Sequence, residues 1–183
     1  YNTDIGIAVE KLRQVIESIS EVIYKELFKV ALAAILLDVS NLYRNGKCLS
    51  YKKKWEDRKI VEKDVFDKFD EKVLKELKCD IENSITRTKI NNKERLYNQD
   101  SRIGIANEVD DNSIDLVITS PPYLNSRDYT DTYMLELKTL GFTKTSEEIK
   151  ELREKTLRSH VQIKRNDTSN VNNELLENTL VEL

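Results

Sequence analysis

Four consecutive residues, Ser120-Pro121-Pro122-Tyr123, hold the sharpest chemistry in this chain, and they include its only two prolines. Adjacent prolines fix φ and remove two backbone N–H groups. The turn they make is rigid, and its carbonyls face outward with no internal donor to answer them. Such an array of acceptors suits an exocyclic amino group. Ser120 adds a hydroxyl that donates or accepts. Tyr123 adds a flat face on which a base can stack, worth about 1–3 kcal/mol. The plainer reading of the same residues is a turn that ends a strand, with a core tyrosine behind it.

The segment that must position this turn is residues 114–119, IDLVIT. It is short, β-branched and apolar, preceded by Asp110-Asp111-Asn112 and stopped by the prolines. It predicts a strand buried on both faces of a parallel sheet. The four residues then sit at its carboxyl end, where open α/β sheets place their ligands.

The flanking chain reads as helix. Residues 7–38 predict one long helix, with Leu12, Val15, Ile16, Ile19, Val22 and Ile23 at three-four spacing. Glu10, Lys11, Arg13, Glu17 and Glu21 fall on the other face. From Val30 the pattern is apolar all round, so the second half is expected to be buried. Ser40, Asn41, Asn45 and Gly46 end the helix, and residues 44–59 read as a polar connection. A second helix is expected from about Ile60, with Val61, Val65, Phe69, Val73, Leu77, Ile81 and Ile85 recurring every fourth residue. It ends no later than Asn91-Asn92. Residues 95–98 are a short strand candidate. Residues 128–140 and 146–158 predict two more helices, the latter with Glu147 and Glu148 in its first turn. Residues 164–173 are polar, and 174–183 suit a last helix. The expected division is a helical region over 1–92, a part carrying the sharp motif over 93–165, and a polar tail with a cut-short helix over 166–183.

Composition narrows the function classes. A chain of 183 residues is one domain, or one domain and a fragment. With 34% charged and 39% hydrophobic residues it has material for a core. A net charge of −3 argues against a coat for nucleic acid driven by bulk charge, while leaving room for a local basic groove. Cys48 and Cys79 form no CxxC pair and His160 is the one histidine, so no metal site is expected. The longest apolar run, residues 30–37, is far short of the ~20 residues of a membrane span. A soluble, cytoplasmic protein is expected. The four glycines, Gly6, Gly46, Gly104 and Gly141, stand far apart, so neither GxGxxG nor a P-loop is present. Starting at Tyr1, the chain reads as a piece of something longer.

DLVITSPPY, residues 115–123, resembles motif IV of the S-adenosyl-L-methionine (SAM)-dependent DNA amino-methyltransferases. These methylate the N4 of cytosine or the N6 of adenine, usually in bacterial restriction–modification systems; the serine form leans toward cytosine N4. Asn98-Gln99-Asp100-Ser101 and residues 110–115 are similar to the family's strand-end acidic residue and to its lead-in, with Gln99 where a glycine is usual. Residues 124–129 and 135–142 resemble a subgroup that continues N..DY....LEL..LG. The specific resemblance covers residues 96–160. Absent from the chain are the family's aromatic-x-Gly-x-Gly cofactor loop and a complete target-recognition domain.

The resemblance implies an α/β fold, an incomplete Rossmann-like methyltransferase sheet with a large N-terminal helical portion. It implies that DNA presents a flipped-out base. Ser120 and the Pro121 carbonyl would bind its amino group, with Pro122 stiffening the turn and Tyr123 stacking on the ring. Asp100 would contact SAM. Asn125, Asp128 and Tyr129 would line the substrate pocket, although Asp128 also fits a helix N-cap. A second chain or missing segment would carry the glycine loop, and this chain would be inactive alone. No membrane and no metal partner is expected. Two basic clusters are candidates for phosphate contact: Lys52, Lys53, Lys54, Arg58 and Lys59, and Lys150, Arg153, Lys155, Arg158, Lys164 and Arg165. Rival readings are a non-catalytic helical assembly or DNA-binding subunit with a relic motif, and a protein or RNA amino-methyltransferase.

Overall fold

In the computed structural model the described residues are 1–46, 48–87, 97, 99–120 and 128–156. Helices dominate them. Helix α1 spans Thr3–Glu17 and α2 spans Val22–Val39. The expected single helix over 7–38 is thus broken at residues 18–21. Ser18 turns its hydroxyl back onto the Val15 carbonyl at 2.7 Å, the kind of local bond that competes with helix propagation. The chain folds back there. Lys29 reaches Glu17 at 3.1 Å, and at the far end the Asn41 amide donates to Asn2 Oδ1 at 2.8 Å.

The core lies between these two helices and the next. Ile5, Ala8, Val9 and Ile16 meet Leu32, Ile35, Leu36 and Val39, with Val65 from α3. Most of the second half of α2 is buried as expected, but Val30, where that half begins, is 65% exposed. Val15, Val22 and Ile23, assigned to the apolar stripe, are exposed instead. The turn rotates α2 relative to α1, so one stripe cannot run through both.

Helix α3 (Glu62–Glu71) passes through a π-helical turn (Lys72–Leu77) into α4 (Lys78–Arg87). This element begins where the sequence predicts. The π turn answers its period of four: at 3.6 residues per turn, such a stripe drifts by about 40° per step. The wider turn brings Val73, Leu77 and Ile81 back beside Tyr24, Leu27 and Phe28 of α2. Phe69 packs on Phe28 with ring centroids 6.3 Å apart.

The polar connection holds a small hairpin. Strands β1 (Leu42–Arg44) and β2 (Leu49–Tyr51) pair antiparallel, Tyr43 opposite Ser50. The turn contains Asn45-Gly46, with Gly46 at φ +82°, and that dipeptide is the hairpin signal the sequence carried. Lys52 and Arg58 then fold onto the end of α2. The Lys52 ammonium donates to the carbonyls of Leu37 at 2.6 Å and Ser40 at 2.9 Å, and Arg58 to those of Ser40 at 2.5 Å and Asp38 at 3.2 Å. Burial, with Arg58 nearby, holds the Lys52 ammonium below its ordinary pKa. Lys52→Met keeps the stem and removes one donor from the Leu37 and Ser40 carbonyls, which retain the Ser40 hydroxyl and Arg58; it should lower stability by about 0.5–1.5 kcal/mol in a urea melt. A loss within error would mean that water replaces the ammonium.

Helix α5 is Ser101–Glu108, α6 is Tyr129–Thr132, α7 is Met134–Thr139 and α8 is Ser146–Lys155. The expected helix over 128–140 is therefore split at Tyr133. Helix α8 starts with a capping box: the Glu148 N–H donates to Thr145 Oγ1 at 3.2 Å, and Glu148 accepts from the N–H groups of Lys144 and Thr145. Those bonds hold the Glu148 carboxyl below the usual range.

One expectation about the fold is corrected. Residues 114–119 form no ladder, and the hairpin β1–β2 is the only sheet among the described residues. Leu116, Val117 and Ile118 are 75%, 75% and 87% exposed. A strand exists only by pairing, and none of the described residues pairs with this one. The large helical portion is present; among the described residues no Rossmann-like sheet forms. The strand candidate at 95–98 lies outside the described residues except for Tyr97, and the helix at 174–183 lies outside them entirely.

Candidate active site

Ser120 ends the described lead-in and is exposed, directly after residues 116–119, which belong to no helix or strand. Pro121, Pro122, Tyr123 and Asn125 lie outside the described residues. The chain is described again from Asp128, five positions past Tyr123.

Asp128 is 2% exposed. It caps α6, accepting the Thr130 N–H at 3.0 Å on Oδ1. Its Oδ2 takes the Thr130 hydroxyl and the Arg153 Nε, the latter at 2.5 Å. Arg153 Nε also lies 2.8 Å from Thr130 Oγ1, and its Nη2 binds Asp131. The carboxylate predicted to line a substrate pocket is thus engaged from two elements, α6 and α8. Arg153, assigned from sequence to a phosphate cluster, is the clamp that closes this network. Spacing could not show this, because the two residues are joined by the fold. Tyr129, by contrast, is 57% exposed and free to meet a ligand.

A second tie holds the same region to the N-terminal helices. Arg44 of β1 pairs with Glu136, donates to the Thr132 carbonyl at 3.2 Å, and lies 4.7 Å over the Tyr133 ring. Glu136, which the sequence leaves as either a solvated charge or an ion-pair partner, is an ion-pair partner. Its other oxygen, Oε2, is buried without a hydrogen-bond partner.

Asp100 precedes α5 and is exposed; its carbonyl accepts from Ile103 N–H at 3.0 Å and Gly104 N–H at 2.7 Å. The described residues around it do not compose a cradle for SAM. Gly6 and Gly104 sit inside helices, while Gly46 and Gly141, at φ +82° and +79°, sit in the hairpin turn and after α7. None of them offers a tight turn of backbone amides beside Asp100. Among the described residues no group of three His, Cys, Asp or Glu could hold a metal, and no helix is long and apolar enough to cross a membrane.

Four residues of the two basic clusters read from sequence are engaged within the fold, while Arg158, Lys164 and Arg165 lie outside the described residues. Lys52 and Arg58 cap α2, Arg153 clamps Asp128, and Lys150 approaches Glu154 at 3.9 Å.

No family model matches the chain, and no solved structure matches it. Curated proteins do. Over 159 residues it is 33% identical to the Type II methyltransferase M.BsoBI of Geobacillus stearothermophilus, covering 76% of this chain and 31% of that protein. Over 160 residues it is 31% identical to the Type II methyltransferase M.AvaI of Nostoc sp. (strain PCC 7120), covering 77% and 31%. M.AvaI of Anabaena variabilis matches to the same extent. The chain therefore spans about a third of the length of these relatives. By sequence, the chain is similar to Type II methyltransferases over about three quarters of its own length.

Proposed function

We propose that this chain is part of a site-specific DNA methyltransferase that moves a methyl group from SAM to an exocyclic amino group, N4 of cytosine or N6 of adenine. The observation that carries the reading is the match to Type II methyltransferases over a chain that contains Ser120-Pro121-Pro122-Tyr123. In this reading DNA presents a flipped base, Ser120 and the Pro121 carbonyl bind its amino group, Pro122 stiffens the turn, and Tyr123 stacks on the ring. Asn125 and Tyr129 border the base, and Asp128 holds the exit of the loop. Asp100 is the contact this chain offers to SAM, which supplies the methyl group. The rest of the cofactor site comes from a further polypeptide segment or a second chain. Support for such a complement comes from the exposed apolar residues 116–118 next to Ser120, which a neighbouring strand would cover.

The test is transfer of tritiated methyl from SAM to duplex DNA by this chain together with a polypeptide bearing an aromatic-x-Gly-x-Gly loop. Nucleoside mass spectrometry then separates N4-methylcytosine from N6-methyladenine. Label on protein or RNA but not on DNA would sink the reading and favour an amino-methyltransferase of other substrates.

In the same assay Tyr123→Ala should cost about 1–3 kcal/mol of transition-state binding, and Tyr123→Phe much less. Equal losses from both would assign the side chain to its hydroxyl or to packing rather than to stacking.

A further inference from the structure

Helix α2 is apolar on two opposite faces, and the fold covers one of them. Leu32, Ile35, Leu36 and Val39 lie in the core with residues of α1 and α3. On the other side stand Ile23, Leu27, Val30, Ala34 and Leu37. Their spacing alternates four and three residues, the d and a positions of two heptads. At 3.6 residues per turn they share one stripe about 80° wide. Ile23 and Val30 are 67% and 65% exposed, Ala34 is exposed, and Leu27 and Leu37 are half-buried. A helix that is apolar all round belongs inside a protein, so this face is short of a neighbour.

The apolar area is wider than the stripe. Leu27 also lines a cavity of about 340 Å³ with Tyr24, Val73, Leu77 and Ile81, where the π turn brings the last three beside α2. Lys78 and Glu82 stand at its rim. An apolar area rimmed by charge is the mark of a protein-binding surface. The repeat sets the shape of the neighbour: side chains at four-three spacing interlock with another α-helix crossing at about 20°. The borders set its charge. Of positions 24, 26, 31, 33 and 38, which flank the stripe, only Glu26 and Asp38 are charged, and both are acidic. Basic residues on the opposite helix complement them. The relatives point to its source. The match takes in 31% of M.BsoBI and of M.AvaI, so about two thirds of each lies outside it.

We infer that the outer face of α2 docks an amphipathic helix with basic flanks, contributed by the complement that carries the rest of the cofactor site. The inference rests on the DNA-methyltransferase reading for the source of that helix. The face itself rests on the spacing and exposure of the five residues.

The probe is a synthetic helix of about three heptads, leucine at a and d and lysine at e and g, titrated into the full isotope-labelled chain and followed by NMR. Amide shifts should gather on residues 23–37. Val30→Glu sets a charge in the apolar stripe and should weaken binding at least about tenfold; Val30 is exposed, so the core is kept. Leu116→Glu changes a residue that is 75% exposed away from α2 and should leave binding unchanged. No binding, shifts elsewhere, or equal losses in the two variants overturn the face. A peptide with glutamate in place of lysine that binds as tightly overturns the basic flanks. Sedimentation velocity of the chain alone tests a second copy: a dimer that Val30→Glu dissolves would make that copy the occupant and overturn the proposal. The source is read in the tritium-transfer assay with the polypeptide bearing the aromatic-x-Gly-x-Gly loop. There Val30→Glu should raise the concentration of that polypeptide needed for half-maximal transfer about tenfold and leave the rate at saturation unchanged, because it touches docking and not chemistry. An unchanged requirement overturns the assignment to the complement. If the wild type supports no transfer while the lysine peptide binds, the helix-docking face stands, and its source falls with the methyltransferase reading.

Discussion

SAM titrated into this chain alone should bind no more tightly than millimolar, and no methyl should reach DNA. Asp100 offers about one charge-assisted hydrogen bond, worth about 1.5–3 kcal/mol. Millimolar affinity already requires about 4 kcal/mol. The glycines cannot close the gap, since two are inside helices and the other two lie in turns remote from Asp100 in sequence. Adding a polypeptide with the aromatic-x-Gly-x-Gly loop should restore both binding and transfer. Calorimetry showing micromolar SAM binding to the lone chain would mean that it holds a complete cofactor site, and the idea of a required complement would be wrong.

Arg153→Ala should be among the most damaging single substitutions, at about 3 kcal/mol or more. It takes the Arg153 guanidinium away from a carboxylate that is 2% exposed. Small domains have about 5–15 kcal/mol of stability in total, so the loss is a large share. Arg153→Lys keeps the charge but cannot reach Asp128 and Asp131 with two separate nitrogens, and should lie between. Guanidinium melts with tyrosine fluorescence would read this. A loss under about 1 kcal/mol would show that water reaches Asp128 and that the clamp is not a structural tie.

The parts legible in the sequence are those ruled by short-range physics. The start of α3, the buried half of α2 and the acidic first turn of α8 follow from periodicity and capping residues. The break at residues 18–21 was not legible, because two serines with neither glycine nor proline do not outweigh a continuing apolar stripe. The hairpin was overlooked although Asn45-Gly46 signals it, because the same residues also read as a helix end. Of the candidate site, Ser120-Pro121-Pro122-Tyr123 stands out in the sequence as a motif, with Pro121, Pro122 and Tyr123 outside the described residues, whereas the roles of charges are not legible there. Lys52, Arg58, Glu136 and Arg153 all look like solvated or phosphate-facing charges in a linear reading. Each has a partner far along the chain, and only the fold reveals it.

The open backbone at residues 114–119 also bears on how the chain behaves in concentrated solution. None of its amides and carbonyls is in a ladder with a described residue, and a β-branched hexapeptide is the length at which identical strands stack into fibrils. The flanks counter this. Asp110 and Asp111 place negative charge before it, Asp115 repels a copy of itself in register, and Pro121-Pro122 stop any growing ladder. The residues that frame the candidate site are therefore also placed to act as gatekeepers against self-association, and replacing Asp110, Asp111 and Asp115 together by asparagine should lower the concentration at which the chain comes out of solution.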